Sequence, residues 1–312
     1  MLKFFKGVRG SIFFKKFPPQ IKNLKQKRED MKHLVEKNKI VINSKEDFCP
    51  QHILECGQIF SYVKTDSGYN VYSKDKMARV TETETGIEIE TSHTDYFVNF
   101  FDLNSNYFNV KQQLIKKHKF MQNVINFGSG IRILNQDIFE TIISFIVSAN
   151  NNIKRIQKIL FAIREKYGSN MGDYFAFPSI KQLKRASIDD FRKLGAGYRA
   201  EYLYKAVRQL ENEDFLTWTN LSTNELNKKL LSIMGVGQKV ADCIMLFAFS
   251  RRDVFPVDTW IEKVYCTYFE TETNRAKIRQ NLLNVFGDLS GYAQQYLFYS
   301  QRSENKQLKN EP

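Results

Sequence analysis

Four cysteines in 312 residues, Cys49, Cys56, Cys243 and Cys266, are too scattered to frame a disulfide scaffold, a zinc site or a four-cysteine iron–sulfur loop. A reducing compartment fits that usage. No apolar run approaches the ~18 residues that a membrane-crossing helix needs. The amino-terminal segment lacks the continuous apolar core and small-residue cleavage site of a signal peptide, and no repeat of solenoid length recurs. Acidic residues are in deficit: 34 Asp and Glu face 47 Lys and Arg, a formal net charge of +13. That imbalance points to a polyanionic partner, nucleic acid ahead of a membrane surface.

The chain does hold apolar material for real cores, with 42% hydrophobic residues and 14% aromatics. Residues 1–39 read as a basic, flexible extension, in which nine Lys or Arg stand against Glu29 and Asp30 over the first thirty positions. It is either a DNA-contacting or targeting-like tail or a plain disordered one. From 40 to 128 the period is nearer two. The runs "IFSYV", "YNVYS", "MARVT" and "IEIETS" are separated by the turn chemistry of "TDSG", "KDK" and "ETG", so an antiparallel β domain is expected. After Asp137 the spacing becomes helical. Asp137 and Glu140 suit a capping box ahead of "IFETIISFIVSA", and "IKRIQKILFAIREKYG" repeats its apolar residues at three and four before stopping at Gly168. Residues 129–304 are therefore expected to be mostly helical and 305–312 a polar tail, an α+β chain overall.

Chemistry concentrates in "IMGVGQKVADCIMLFAFSRRDVFPVD", Ile233 to Asp258. Ser222 and Glu225 form a second capping box for a short amphipathic helix through Leu226, Leu230 and Ile233. Gly235, Val236 and Gly237 then turn the chain, and another helix begins near Gln238. Such glycines permit positive φ and let a phosphate approach backbone N–H groups, although three residues of this kind equally suit an ordinary interhelical turn. Lys239 falls in the first turn of the second helix. The macrodipole and the apolar run "VADCIMLFAF" both act there to lower its pKa, favouring a nucleophilic free amine. The competing assignment is an exposed lysine paired with Asp242 at i+3. Cys243 shares the lysine's face at i+4. Asp258 follows the extended entry set by Pro256, so it is a helix N-cap, a carboxylate that stabilises a developing sugar cation, or both.

The hairpin "MGVGQKVADC" followed by "PVD", with nineteen residues from Lys239 to Asp258, resembles the helix-hairpin-helix DNA glycosylases, the 8-oxoguanine DNA glycosylases above all. "QDIFETIISFIVSANNNIKRI", "KLGAGYRAEYL" and "GYAQQYLF" are similar to that family in order and spacing, and "ECGQIFSY" extends the match more weakly into the sheet. The resemblance covers most of residues 40 to 300. It implies a bifunctional repair enzyme in which Lys239 attacks the deoxyribose C1′ of an extruded 8-oxoguanine nucleotide and Asp258 orients or deprotonates the lysine and stabilises the transition state. The Schiff base formed then undergoes β-elimination. No metal or cofactor is implied. The partner implied is duplex DNA with the lesion opposite cytosine, acted on by a monomer located in the cytoplasm, or in the nucleus of a eukaryote.

The same resemblance distributes recognition. Gly57 offers its carbonyl to the lesion's N7 hydrogen, Phe298 and Cys243 sandwich the base, and Gln294 reads its Watson–Crick edge. Asn150 fills the vacated space, Arg155 and Arg199 donate to the orphaned cytosine, Tyr198 wedges beside it, and the Gly235–Val236–Gly237 turn holds the DNA backbone. Trp260 departs from the pattern, standing where some relatives carry a phosphate-contacting histidine. The iron–sulfur branches of the superfamily are disfavoured by the lack of clustered carboxy-terminal cysteines. Two rivals remain: a noncatalytic hairpin protein with salt-sensitive DNA binding, and a glycosylase for another damaged base, such as an alkylation-damage enzyme that keeps Asp258 but needs no lysine.

Overall fold

The computed structural model describes residues 31–310, with side chains through residue 302. Alternating sequence becomes a six-stranded sheet of β1 (His33–Glu36), β2 (Lys39–Ile42), β3 (Tyr62–Thr65), β4 (Gly68–Ser73), β5 (Lys76–Glu82) and β6 (Ile87–Glu90). The strands lie antiparallel in the order β1-β2-β6-β5-β4-β3. Register lines up Ile40, Ile89, Val80 and Tyr69 across four strands. Because side chains alternate along a strand, these residues form one buried face, which packs on Phe97, Phe100 and Phe101.

Those phenylalanines correct the expected domain limits. Residues 94–127 are not sheet but three helices, Thr94–Phe100, Tyr107–Lys117 and Met121–Phe127. The latter two send Leu114, Met121 and Val124 into one core with Phe255, Ile261 and Tyr296, so a boundary at residue 128 would cut through packed side chains. The sheet also starts earlier than expected, since β1 lies inside the proposed extension 1–39; residues 1–30 are outside the described part. The carboxy-terminal tail is no separate segment either, because one helix runs from Ser290 to Asn310.

A third core is built from helices that include Ile138–Ser148, Ile153–Tyr167, Arg199–Gln209, Thr223–Leu231 and Gln238–Ala248. Asp137 caps the first of these by accepting from the Glu140 N–H at 2.9 Å. Glu140 does not return the bond, so the expected capping box is half made. Its buried carboxylate instead accepts from Ser61 Oγ at 2.7 Å and from the Lys74 N–H at 2.8 Å, and pairs with Arg164. A local helix signal thereby becomes a tie between helix and sheet. Arg132, wholly buried, makes another tie. Its guanidinium donates to the carbonyls of Phe101, Asp102, Asp47 and Ser105 and lies 4.1 Å over the Tyr107 ring.

Candidate active site

The hairpin forms where its sequence directs. Ser222 and Glu225 complete a reciprocal capping box, with Ser222 N–H to Glu225 Oε2 at 2.9 Å, and helix Thr223–Leu231 leads into the turn. The two glycines differ in what they do. Gly235 has φ +88°, and a Cβ there would lie 2.8 Å from Tyr202 Cβ, so the fold itself demands glycine. Gly237 has φ −94° and caps helix Gln238–Ala248, correcting the expectation of positive φ; a Cβ there would meet nothing within 4 Å. Val236, buried between them, anchors the turn. The helix start carries no side-chain cap, which leaves backbone N–H groups beside an open, glycine-surfaced approach, the arrangement that accommodates an anion.

Lys239 is half-buried on that first turn, its Nζ 5.4 Å from the centre of the Phe145 ring. Burial acts to lower its pKa, but Cys243 and Asp258 outweigh burial and hold the ammonium above its ordinary value. The expected depression is therefore corrected: the resting group is charged, because its neighbours are acidic as well as apolar. Burial pushes the Cys243 thiol up to about 11. The alternative pairing of Lys239 with Asp242 does not occur. Asp242 is fully buried and engaged by Arg279, with Nε to Oδ2 at 2.7 Å and Nη2 to Oδ1 at 2.8 Å, and by Gln238 Nε2 at 3.0 Å. Of the two anticipated roles of Asp258, the helix N-cap is the one made by hydrogen bonds. The carboxylate caps helix Thr259–Tyr268 by accepting from the N–H groups of Trp260 and Ile261, each at 3.0 Å, while its charge acts on Lys239. Trp260 is half-buried, with Lys263 Nζ 4.9 Å from its ring centre.

Gly57 and Phe298 come together from distant parts of the chain. Gly57 has φ +84°, and a Cβ there would stand 3.4 Å from Phe298 Cε1. Helix Ser290–Asn310 braces the same loop twice more, through Arg302 Nη1 to the Glu55 carbonyl at 2.9 Å and through Gln295, whose Oε1 lies 3.4 Å from Cys56 Sγ. Gln58, fully buried, fixes the loop's other end by donating to the carbonyls of Ile53 and Arg132 and accepting from the Leu134 N–H. Gln294 is buried next to Gln295 and accepts from its Nε2 at 2.8 Å. Cys56, Gln58, Gln295 and Phe145 were not singled out from sequence. Each is an ordinary core residue until its partners are known.

The third grouping joins loop 149–152 to the turn at 195–199. In "NNN", Asn151 Nδ2 donates to the Val147 carbonyl at 3.1 Å and Asn152 caps helix Ile153–Tyr167 through the Arg155 N–H at 3.0 Å. Among the described residues the side chain of Asn150 alone of the three makes no hydrogen bond; it is exposed, with the backbone in the left-handed region at φ +48°. Tyr198 is 55% exposed, its hydroxyl 3.3 Å from the Ala149 carbonyl. Arg155 is exposed, one amino group donating to the Gly195 carbonyl at 3.0 Å. Arg199 differs from the expected free donor. It is 3% exposed and donates through Nε and Nη2 to the Ala149 carbonyl, through Nη2 to the Asn150 carbonyl and through Nη1 to the Ala196 carbonyl. Of a guanidinium's five N–H groups, one remains.

Comparison with known proteins follows this geometry. Residues 40–142 match the family model for the 8-oxoguanine DNA glycosylase N-terminal domain, and residues 143–287 match the HhH-GPD superfamily of base excision DNA repair proteins. The structure superposes with a TM-score of 0.83 on that of Clostridium acetobutylicum 8-oxoguanine glycosylase/lyase in complex with dsDNA containing cytosine opposite to 8-oxoG. The two share 35% identity over 89% of this chain and 100% of that one. An N-glycosylase/DNA lyase of Arabidopsis thaliana is 34% identical, covering 57% of this chain, and one of Saccharomyces cerevisiae is 27% identical, covering 78%. The chain matches 54% of the Arabidopsis protein's length and 73% of the yeast protein's. With sheet and helical regions both matched, and the whole Clostridium chain superposed at this identity, the chain belongs to the 8-oxoguanine DNA glycosylase/lyase family of the HhH-GPD superfamily.

Proposed function

We propose that this chain excises 8-oxoguanine from duplex DNA, opposite cytosine, and then cleaves the strand at the abasic site through Lys239. The observation that carries the proposal is a half-buried lysine held beside Asp258 at the start of the hairpin's second helix. A noncatalytic hairpin has no use for that amine. In the reaction, the Lys239 nitrogen bonds to C1′ as the C1′–N9 bond breaks, and the bond's electron pair leaves with the base. The proton shed by the Lys239 ammonium ends on the departing base, so the step balances without an outside acid. A proton then passes from that nitrogen to O4′ as C1′–O4′ breaks, giving the protonated Schiff base and a free 4′-hydroxyl, and loss of a C2′ proton to the departed base expels the 3′ phosphate with the electron pair of the C3′–O bond. Asp258, fixed by two backbone N–H groups, stabilises positive charge on the sugar.

Gly57, Phe298, Cys243 and Gln294 supply recognition of the extruded base, and Asn150, Arg155 and Tyr198 meet the strand left behind. Arg199 acts chiefly by bracing the Asn150 loop. Borohydride reduction tests the central step. Incubation with an 8-oxoguanine duplex is expected to give a stable covalent complex, lost in Lys239→Gln while lesion binding stays measurable. Undiminished trapping in that variant would overturn the assignment.

A further inference from the structure

Helix Ile153–Tyr167 follows directly on the Asn150 loop, and it opens with Lys154, Arg155 and Lys158 and no acidic residue in its first turn. All three side chains are exposed. Two electrostatic preferences are opposed at once. The positive end of the helix macrodipole disfavours Lys154 and Arg155, and Lys154 and Lys158, at i and i+4, are like charges on one face. Other than these cations, the residues three or four positions from either lysine are Asn150, Asn151, Gln157, Phe161 and Ala162, none of them acidic. Among the described residues neither lysine has a hydrogen-bond or ion-pair partner. Helix Arg275–Phe286 also opens with cations, but there Arg275 pairs with Glu262 at 3.0 Å and Lys277 with Glu272 at 3.6 Å. The fold does not use the two lysines either. Ile156, Ile159, Leu160 and Ile163 fill the core side, Gln157 is tied to the Tyr62 carbonyl at 3.3 Å, and Arg155 to the Gly195 carbonyl at 3.0 Å.

We infer that Lys154 and Lys158 form a phosphate track for the undamaged strand of the duplex, leading from the Asn150 loop along this helix. A polyanion removes the electrostatic penalty that the free protein leaves uncompensated. The strand follows from continuity, because the patch adjoins Asn150, Arg155 and Tyr198, and the track rests on the proposal that these meet the strand left behind. Lys239 and the Gly235–Gly237 turn, which serve the lesion strand in that proposal, belong to a different pair of helices. Four residues of helix set the lysines about 6 Å apart along its axis, and each strand carries a phosphate every ~3.4 Å of duplex, so the two ammonium groups reach separate phosphates. They touch no base and add affinity without sequence preference.

The test is binding to a duplex with a tetrahydrofuran abasic analogue opposite cytosine, which forms no Schiff base, measured across salt concentrations. A variant carrying both Lys154→Gln and Lys158→Gln is expected to lose about 1.8 from the slope of log affinity against log salt, at about 0.9 per phosphate contact. Its melting temperature should hold or rise, because the like-charge pair is relieved. An unchanged slope overturns the track, and a lowered melting temperature assigns the lysines to the fold instead. Single methylphosphonates, each removing one phosphate charge, identify the strand. In the undamaged strand they should flatten the wild-type slope at particular positions and do nothing there in the double variant; the same pattern from lesion-strand positions alone refutes the assignment. Arg155→Gln separates the two levels. If the preference for cytosine opposite the lesion survives it, the reading that places this loop on the undamaged strand is wrong and the track falls with it, whereas an unchanged slope in the lysine variant condemns only the track.

Discussion

Cys243 and Asp258 outweigh burial at Lys239 and hold its pKa above the ordinary value, and that fact sets how the enzyme must respond to pH. Asp258 is one of the groups raising the lysine's pKa, so removing its charge lowers that pKa. Asp258→Asn retains a competent N-cap, since Asn caps about as well as Asp. The variant's excision rate is expected to fall by ~10²–10³, the scale of losing one transition-state electrostatic contact. Its remaining activity should reach the alkaline plateau at lower pH than the wild type does. Single-turnover rates across pH measure both effects; a capping role alone would leave the alkaline limb in place. Sequence placed both residues at helix starts but mistook the sign of the lysine's shift. Apolar neighbours are visible in a linear string, whereas an acid nineteen residues away acts only once the chain has folded.

Among elements, the hairpin separates what the fold needs from what DNA needs. Gly235→Ala meets both a positive φ and Tyr202, and a loss of about 2–3 kcal/mol is expected. Gly237→Ala has permitted φ and open space, so thermal stability should change by less than ~0.5 kcal/mol. Its methyl group stands before the uncapped N–H groups, however, and duplex affinity should weaken, with a salt dependence shallower by about one phosphate contact. Melting curves and salt-dependent binding distinguish the pair. Equal melting losses in both would contradict the division. The strands were legible because alternation is a two-residue property: three expected runs fall on β4, β5 and β6, and "IFSYV" overlaps β3 at Tyr62 and Val63. The helices over 94–127 were missed because Phe97, Phe100 and Phe101 were not read as the three- and four-residue stripe they form. In "NNN", likewise, the letters are identical, and only hydrogen bonds reveal that Asn151 and Asn152 are structural while Asn150 is free.

Across the whole molecule, the groups proposed to be catalytic sit where separate cores meet. Asp242 belongs to the hairpin's second helix, and Arg279 to helix Arg275–Phe286, whose Ile278 and Leu282 enter another core. Their bidentate pair fastens the helix of Lys239 to the core that holds the helices following Asp258 and carrying Phe298. Arg279→Met leaves a buried carboxylate unpaired and should cost about 3–5 kcal/mol at neutral pH. Burial already raises the Asp242 pKa, against the lowering effect of Arg279. Without the arginine it rises further, so the folded variant takes up a proton more readily than the unfolded chain does. Denaturant unfolding should therefore find the deficit smaller at about pH 5 than at neutrality. A deficit independent of pH would mean that packing, not charge, is what Arg279 contributes. Burial has another consequence, at Cys56 and Cys243, whose thiols are each pushed up to about 11. At neutral pH roughly one such thiol in ten thousand is ionised, and peroxide attacks the thiolate. A protein proposed to act where guanine is being oxidised thus keeps its two buried sulfurs in the form that the same oxidants consume most slowly.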